Sequence, residues 1–407
     1  MAFPEFMRNF DWQLLSHYIV ALMVLPIMVL TVRNVVKNSA TLFDSDLTAN
    51  DRALLKQFAL FLLLPLVALF HEMGHALVAH FMGVTVVAFH WSLFFGQVDV
   101  AGDLTPHQNF VIAAAGNVFQ LIATLFALII AFMSRSPAIV ALNIYLYLFA
   151  GCSGLIMYPL LSLVGWNCDY ALIYGSEERV PALIFGVVHL TLIGLFAWTL
   201  LSEKARLWFA RKTRPGWAKE YDKVYERVKA DPSAVNLLSQ AWQFYFVGLD
   251  KSAEETLDKV ENIDGGLREV WLLRGYLHQS RGRYRSAVLC FEQITNMVID
   301  DKSLLARAWM ARGHCLGDEL EGATGKKDYH PILMSYKQAC SADSKLADPH
   351  YYLAVTLTKA GQIKDAENEL DVCQNYAKRG LSWLDPILAT MVRDALLQIR
   401  QASKPQP

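Results

Sequence analysis

The sequence lacks an excess of charge of either sign. It contains 37 Lys and Arg against 38 Asp and Glu among 407 residues, which gives a formal net charge of −1. Proteins that bind nucleic acid usually carry a basic footprint, so we expect no nucleic-acid partner. The six cysteines form no C-x-x-C pair or other close metal-ligand spacing. We interpret them as small core residues.

A removable signal peptide is also missing from the pattern, because no small-residue cleavage site follows the first apolar run. We expect this run to remain as a membrane anchor. A spanning helix needs roughly 20 mostly apolar residues. The sequence predicts such helices near 15–33, 54–83, 108–133, 138–165 and 181–201. After about residue 201 charged residues recur every few positions, so the bilayer is expected to solvate the first half and water the second.

These patterns divide the chain into regions. We expect an N-terminal anchor and loop at 1–53, a membrane core with a following span at 54–203, a basic linker at 204–217, a helical domain at 218–400 and a tail at 401–407. Between the second and third spans, VTVVAFHWSLFFGQVDVAGDLT is rich in β-branched and aromatic residues and favours a short β-hairpin. The hairpin is either a loop packed on the bundle or an edge that binds an extended substrate strand.

The helical domain shows a repeat of approximately 34 residues. Its best copy places Trp271, Gly275, Tyr284, Ala287, Phe291 and Ile294 where tetratricopeptide repeats place their packing residues. Two-helix units of this kind must stack to bury their faces, and stacking forms a groove that binds a protein or peptide partner. The predicted fold class is therefore all-α: a multi-pass membrane helical bundle with a β-hairpin insert, followed by a soluble α-solenoid that resembles tetratricopeptide repeats.

The clearest chemical signal is the motif His71-Glu72-Met73-Gly74-His75. Positions i and i+4 share one face of a helix, so both imidazoles can bind one Zn²⁺ while Glu72 acts on its water. Polar groups at this depth cost on the order of several kcal/mol unless they pair or bind a cation. The alternatives are a helix-capping cluster and a proton relay, neither of which holds a metal. A transporter is disfavoured because the first four spans contain no other carboxylate in their apolar cores.

A catalytic zinc ion usually has three protein ligands, so a third ligand is expected elsewhere. His80 is rotated away from the face of the two motif histidines. Asp99 and Asp103, in the predicted hairpin, and Asp169, after the fourth span, all lie on the same side of the bilayer as the motif. We favour Asp169 because it follows the C-terminal end of a membrane helix, as the motif does, but sidedness excludes none of the three.

Together these residues resemble the site-2 protease (M50-type) family of intramembrane zinc metalloproteases. The resemblance covers roughly residues 54–175 and implies that His71, His75 and Asp169 are zinc ligands and that Glu72 is the general base. Of the family's Asn-Pro-Asp-Gly pattern this chain keeps the Asn and the Asp, as Asn167-Cys168-Asp169-Tyr170. Cys168 is a further candidate ligand.

The stretch AAAGNVFQ, around Gly116 and Asn117, resembles the middle core helix of that family. Its small residues allow close helix packing. Asn117 and Asn167 are candidate substrate-binding residues. The expected function is therefore zinc-dependent hydrolysis of peptide bonds in membrane-protein substrates, with the helical repeats binding substrate or a regulator. The alternative is an inactive membrane scaffold that retains the fold, but a scaffold would not need a base at Glu72.

Lys and Arg are concentrated on one side of the predicted spans, at Arg33, Lys37, Arg52, Lys56, Arg135 and the cluster after span five. The positive-inside rule makes this side cytoplasmic, which would place the repeats in the cytoplasm and the zinc site near the opposite face. Members of the resembled family usually open their sites toward the cytoplasm, so the orientation stays open. A bacterial inner membrane is the expected location.

Overall fold

A computed structural model describes residues 12–44, 47–164, 168–297, 300–322 and 328–377, with side chains from residue 19 onward. The chain divides into two compact units between Asp222 and Lys223. The helices of the first unit are α1 (Trp12–Lys37), α2 (Ser39–Leu42), α3 (Ala49–Phe58), α4 (Leu64–Phe81), α5 (Pro106–Met133), α6 (Pro137–Cys152), α7 (Tyr158–Leu163), α8 (Asp169–Tyr174), α9 (Arg179–Leu201) and α10 (Glu203–Thr213). Helix α11 (Pro215–Ala230) crosses the division.

Five helical runs in the described part of the chain are long and apolar enough to cross a membrane. They are Ile19–Lys37, Ala49–Phe81, Pro106–Met133, Pro137–Leu163 and Arg179–Leu201. Apolar side chains point outward along them: Leu22 is 71% exposed and Leu190 69% exposed. Such surfaces require lipid rather than water around them. The prediction of five spans is confirmed, with helix ends a few residues from the expected positions.

Two of these runs contain a wider helical turn just before a proline. Residues Ala59–Leu63 and Ser153–Met157 form π-helical turns, followed two residues later by Pro65 and Pro159. A proline has no N–H for the carbonyl one turn earlier, and its ring crowds that turn. Widening the preceding turn relieves the crowding. In both runs the chain therefore accommodates the proline through a π turn.

The predicted β-hairpin is present as strands β1 (Val86–Ser92) and β2 (Phe95–Val100), paired antiparallel with Ser92 opposite Phe95. Leu93 begins the two-residue turn and has a positive φ of 65°, a conformation that costs a bulky side chain energy. The hairpin runs back along α4, and the Trp91 Nε1 donates a hydrogen bond to the Pro65 carbonyl at 3.2 Å. Pro65 is near the middle of the apolar run Ala49–Phe81, so the turn end of the hairpin packs beside the middle of that run.

The segment 204–217, for which the sequence indicates a basic linker, is helical over α10 and the start of α11. Its aromatic residues pack on the membrane bundle. Trp208 packs on Phe132 with ring centroids 4.5 Å apart, and Phe209 packs on Tyr145 at 6.1 Å. The helix therefore presents an apolar face to the membrane bundle and basic residues to its surroundings.

The second unit consists of helices packed in consecutive pairs. They are α12 (Ala234–Phe246), α13 (Asp250–Ile263), α14 (Glu269–Ser280), α15 (Tyr284–Thr295), α16 (Lys302–Glu321), α17 (His330–Ala342), α18 (Ala347–Lys359) and α19 (Ile363–Ala377). The same contact, a glycine on the first helix against an aromatic ring on the second, recurs within two of these pairs. A Cβ on Gly275 would lie 2.3 Å from the Phe291 ring, and one on Gly313 would lie 2.7 Å from the Tyr336 ring. The predicted fold class, a membrane bundle followed by a helical-repeat region, is confirmed.

Candidate metal centre

His71 and His75 lie one turn apart on the same face of α4, as the motif spacing requires. Both are buried, with 4% and 6% of their surface exposed. Their rings pack edge to face with centroids 4.8 Å apart, and the two Nε2 atoms are 3.1 Å apart. Two imidazole nitrogens at this distance converge on one point.

Asp169, the first residue of α8, is brought to the same point from 98 positions along the chain. Its Oδ2 lies 2.9 Å from Nε2 of His71 and 3.2 Å from Nε2 of His75. Ligand atoms of a tetrahedral zinc ion with bonds of about 2.0–2.1 Å are roughly 3.3 Å apart. The three side chains therefore match the donor types and spacing of a three-ligand zinc site.

Two hydrogen bonds hold this triangle. His75 donates from Nδ1 to the Ile112 carbonyl at 2.7 Å, which leaves the lone pair of Nε2 directed at the centre. Asn117 donates from Nδ2 to Oδ2 of Asp169 at 3.4 Å. Burial opposes the ionisation of Asp169, but the imidazoles of His75 and His71 outweigh it and hold the pKa of the carboxyl below its usual range.

Gly116 allows α5 to approach the two histidines. A Cβ at this position would lie 2.3 Å from Nε2 of His75 and 2.6 Å from Nε2 of His71. Helix α5 begins at a capping box formed by Thr105 and Gln108, which fixes its start. Because no other residue has so small a side chain, glycine is required where α5 crosses the site.

Glu72 lies beside the histidines and against the hairpin. It is 5% exposed, and a Cβ on Gly96 of β2 would lie 2.2 Å from its Cγ and 2.7 Å from its Oε1. The hydrogen bond from Trp91 fixes the neighbouring strand to α4. The hairpin thus closes one side of the site and packs directly on the carboxyl side chain.

Helix α8 is anchored through a backbone carbonyl group that receives no hydrogen bond from Pro159. The carbonyl of Leu155 would accept from residue 159 in an α turn, and that of Gly154 in a π turn, but proline has no N–H. The Tyr170 hydroxyl donates to the Gly154 carbonyl at 2.8 Å, and Nε2 of His189 donates to the Leu155 carbonyl at 2.9 Å. Tyr170 follows Asp169 directly, so the missing backbone bond helps to fix the position of the carboxylate.

The other candidate residues lie apart from this triangle. Asp99 accepts a hydrogen bond from Gln97 at 2.7 Å on the hairpin, and Asp103 is exposed beyond it. Cys168 places its Sγ 2.6 Å from the Ser162 hydroxyl. Asn167 lies outside the described residues.

Three residues that support the site, Gly96, Tyr170 and His189, are not among the candidates that the sequence predicts. A glycine inside a strand pattern is a known sign of close backbone approach. A histidine within a membrane span is a sign of a specific partner. The sequence therefore marked Gly96 and His189 as unusual residues. It did not show which residues they contact.

Comparison with known proteins identifies the class to which this HExxH-containing membrane protein belongs. The sequence profile of peptidase family M50 matches residues 58–354, more than half of the chain. The chain belongs to peptidase family M50, which confirms the resemblance. No curated protein matches the chain.

Among solved structures, a pilus biogenesis factor, PilW, is 17% identical, with 49% of this chain and 86% of that chain covered and a TM-score of 0.37. MamA from Desulfovibrio magneticus RS-1 is 13% identical, with 40% and 86% covered and a TM-score of 0.32. YrrB, described as a TPR protein with an unusual peptide-binding site, is 13% identical, with 44% and 92% covered and a TM-score of 0.31.

Proposed function

We propose that this protein is a zinc-dependent intramembrane endopeptidase in which His71, His75 and Asp169 hold the metal and Glu72 is the general base. The observation that carries the proposal is the convergence of three ligand atoms, 2.9–3.2 Å apart, beside a buried carboxyl group. Membership of the M50 family supports the same reaction class.

The chain's own residues perform defined tasks in this reaction. A bound zinc ion supplies a Lewis acid, which makes water nucleophilic near neutral pH and polarises a peptide carbonyl. Glu72 accepts the proton of the attacking water and returns it to the leaving amine nitrogen. Asn117 holds Asp169 and is our candidate to contact the substrate backbone; Asn167 is proposed for the same role from the sequence alone.

The substrate must present an extended peptide, because a transmembrane helix hides its amides in hydrogen bonds. The two-stranded sheet has unpaired outer edges among the described residues, and Gly96 brings it against Glu72. We propose that an edge of this hairpin pairs with the unwound substrate strand. An apolar cavity of about 420 Å³ between α5, α8 and α9 reaches Asn117, and its place in the membrane bundle supports approach of the substrate from the lipid.

We propose that the protein lies in a bacterial inner membrane, that the ends of the spans carrying Arg33, Lys37, Arg52 and Arg135 face the cytoplasm, and that the helical repeats bind a substrate or regulator protein there. Labelling of single cysteines introduced at Ser134 and Gly175 with a membrane-impermeant reagent tests this orientation. The cysteine at position 134 should react only from the cytoplasmic side of the membrane, and the cysteine at position 175 only from the opposite side. The reverse result would reverse the proposed orientation.

The catalytic proposal is tested by replacing the base. Cells that express wild type, Glu72→Gln or the matched control Glu177→Gln are compared by mass spectrometry of new peptide termini in membrane proteins. Glu177 is exposed in the loop before α9, so its variant should give the wild-type termini. Glu72→Gln should give none while retaining zinc. If Glu72→Gln produces the same termini, the mechanism is wrong; if wild type also produces none, the scaffold alternative applies.

A further inference from the structure

Three metal-ligating side chains meet in the helical-repeat unit, far along the chain from the HExxH motif. Cys340 lies on α17, His350 on α18 and Glu369 on α19. One ligand atom from each, a thiol sulfur, a ring nitrogen and a carboxylate oxygen, lies within 4.8 Å of the other two. Nδ1 of His350 is 2.6 Å from Oε2 of Glu369. Across the residues that the structure describes, this group and the His71 group are the only two with such convergence.

The three donor types favour a thiophilic divalent metal ion over calcium or magnesium. Thiolate, imidazole and carboxylate are zinc ligands with bonds of about 2.3, 2.0–2.1 and 2.0–2.2 Å, so donors to one ion are roughly 3.3–3.6 Å apart. The three donor atoms lie within 4.8 Å of one another, so their separations must shorten by at most about 1.5 Å to reach this spacing. Calcium and magnesium prefer oxygen donors only, so the sulfur of Cys340 points to a thiophilic divalent metal.

The surroundings allow an ion to enter and leave a coordination position open. The side chains of His350 and Glu369 are 13% and 29% exposed, and Cys340 is partly exposed with a free thiol. Three protein ligands leave a fourth tetrahedral position for water.

A simple His–Glu ion pair accounts for less of this arrangement. An ion pair alone does not require a cysteine beside it, whereas a metal site uses the thiol of Cys340 as its third donor. Cys290, Cys315 and Cys373, by contrast, are buried in the unit and belong to neither convergent group.

We propose that Cys340, His350 and Glu369 form a second metal site, which takes Zn²⁺ or a similar thiophilic divalent ion. Each ligand comes from a different helix, so a bound ion links α17, α18 and α19 and stabilises the last two helix pairs against unfolding. This site does not depend on the proposed peptidase activity, because it shares no residue with the membrane site.

Cobalt substitution distinguishes the two sites, because a thiolate bound to Co²⁺ gives a near-ultraviolet charge-transfer band that histidine and carboxylate ligands do not. The full-length protein in detergent is stripped of metal and titrated with Co²⁺ as wild type, Cys340→Ser, His71→Ala and the matched control Cys290→Ser. We expect the band in wild type, His71→Ala and Cys290→Ser and its loss in Cys340→Ser. His350→Ala, checked for folding by circular dichroism, should weaken cobalt binding at the same site.

Either of two results would overturn the second site: folded wild type shows no thiolate band, or the band survives in folded Cys340→Ser. A band that disappears in His71→Ala instead would assign a cysteine, such as Cys168, to the membrane site. Total zinc gives an independent reading. Wild type should bind one more ion per chain than Cys340→Ser, and the same difference should separate His71→Ala from the His71→Ala/Cys340→Ser double variant.

Discussion

Replacing Gly116 with alanine should remove the metal from the membrane site without removing a ligand. The added methyl group would lie 2.3 Å from Nε2 of His75, whereas ordinary contact begins at 3.4 Å. The imidazoles or α5 must therefore move by about 1 Å. Zinc ligand distances tolerate changes of only about 0.2 Å. Changes one layer outside the ligands already weaken metal binding about 10–100-fold, so we expect a loss of about 100-fold or more here.

The assay is zinc affinity of the purified protein measured by competition with a chelator, together with thermal unfolding. The matched control is Gly194→Ala on α9, where an added Cβ meets nothing within 4 Å. The control should keep wild-type affinity. A folded Gly116→Ala protein with unchanged zinc affinity would refute the geometry of the site.

Gly96→Ala should keep zinc but reduce cleavage about 100-fold. The added methyl group would lie 2.2 Å from Glu72 and displace the hairpin or the base by about 1 Å. A variant that cleaves as fast as wild type would exclude this contact. Tyr170→Phe should leave the Gly154 carbonyl without its donor, which costs about 1–3 kcal/mol of stability. It should also weaken zinc affinity about 10-fold. A loss of stability with unchanged zinc affinity would show that the hydroxyl does not position Asp169. In the repeat unit, burial lowers the pKa of His314 from 6.5 to about 4. The unfolded chain therefore binds the extra proton first, and stability should fall by up to about 3 kcal/mol as the pH falls from 6.5 to 4. Urea-dependent proteolysis of the repeats in full-length protein should show this slope in wild type and a smaller one in His314→Gln.

The sequence was sufficient to predict the features that repeat or that lie within one helix. The five spans follow from apolar runs, the helical repeats from recurring small residues such as Gly275, and the approach of His71 to His75 from helical spacing. The hairpin was also expected from its composition. These features depend on local periodicity, which a single sequence displays directly.

What the sequence could not show are contacts between distant segments. Three aspartates fitted the sidedness argument equally, and only the fold shows that Asp169 meets the histidines. The link from Pro159 through Gly154 to Tyr170 depends on which donor comes near a carbonyl that lacks its helical partner. The group of Cys340, His350 and Glu369 has no recognisable ligand spacing, because each residue lies on a different helix.

The central claim is that His71, His75 and Asp169 hold the metal that Glu72 uses. Its most direct test is the zinc content of purified, folded wild type, His71→Ala, Asp169→Ala and Asp99→Ala. We expect the His71 and Asp169 variants each to lose one zinc ion per chain relative to wild type and Asp99→Ala to lose none. A folded Asp169→Ala protein that retains the full wild-type zinc content would contradict the claim.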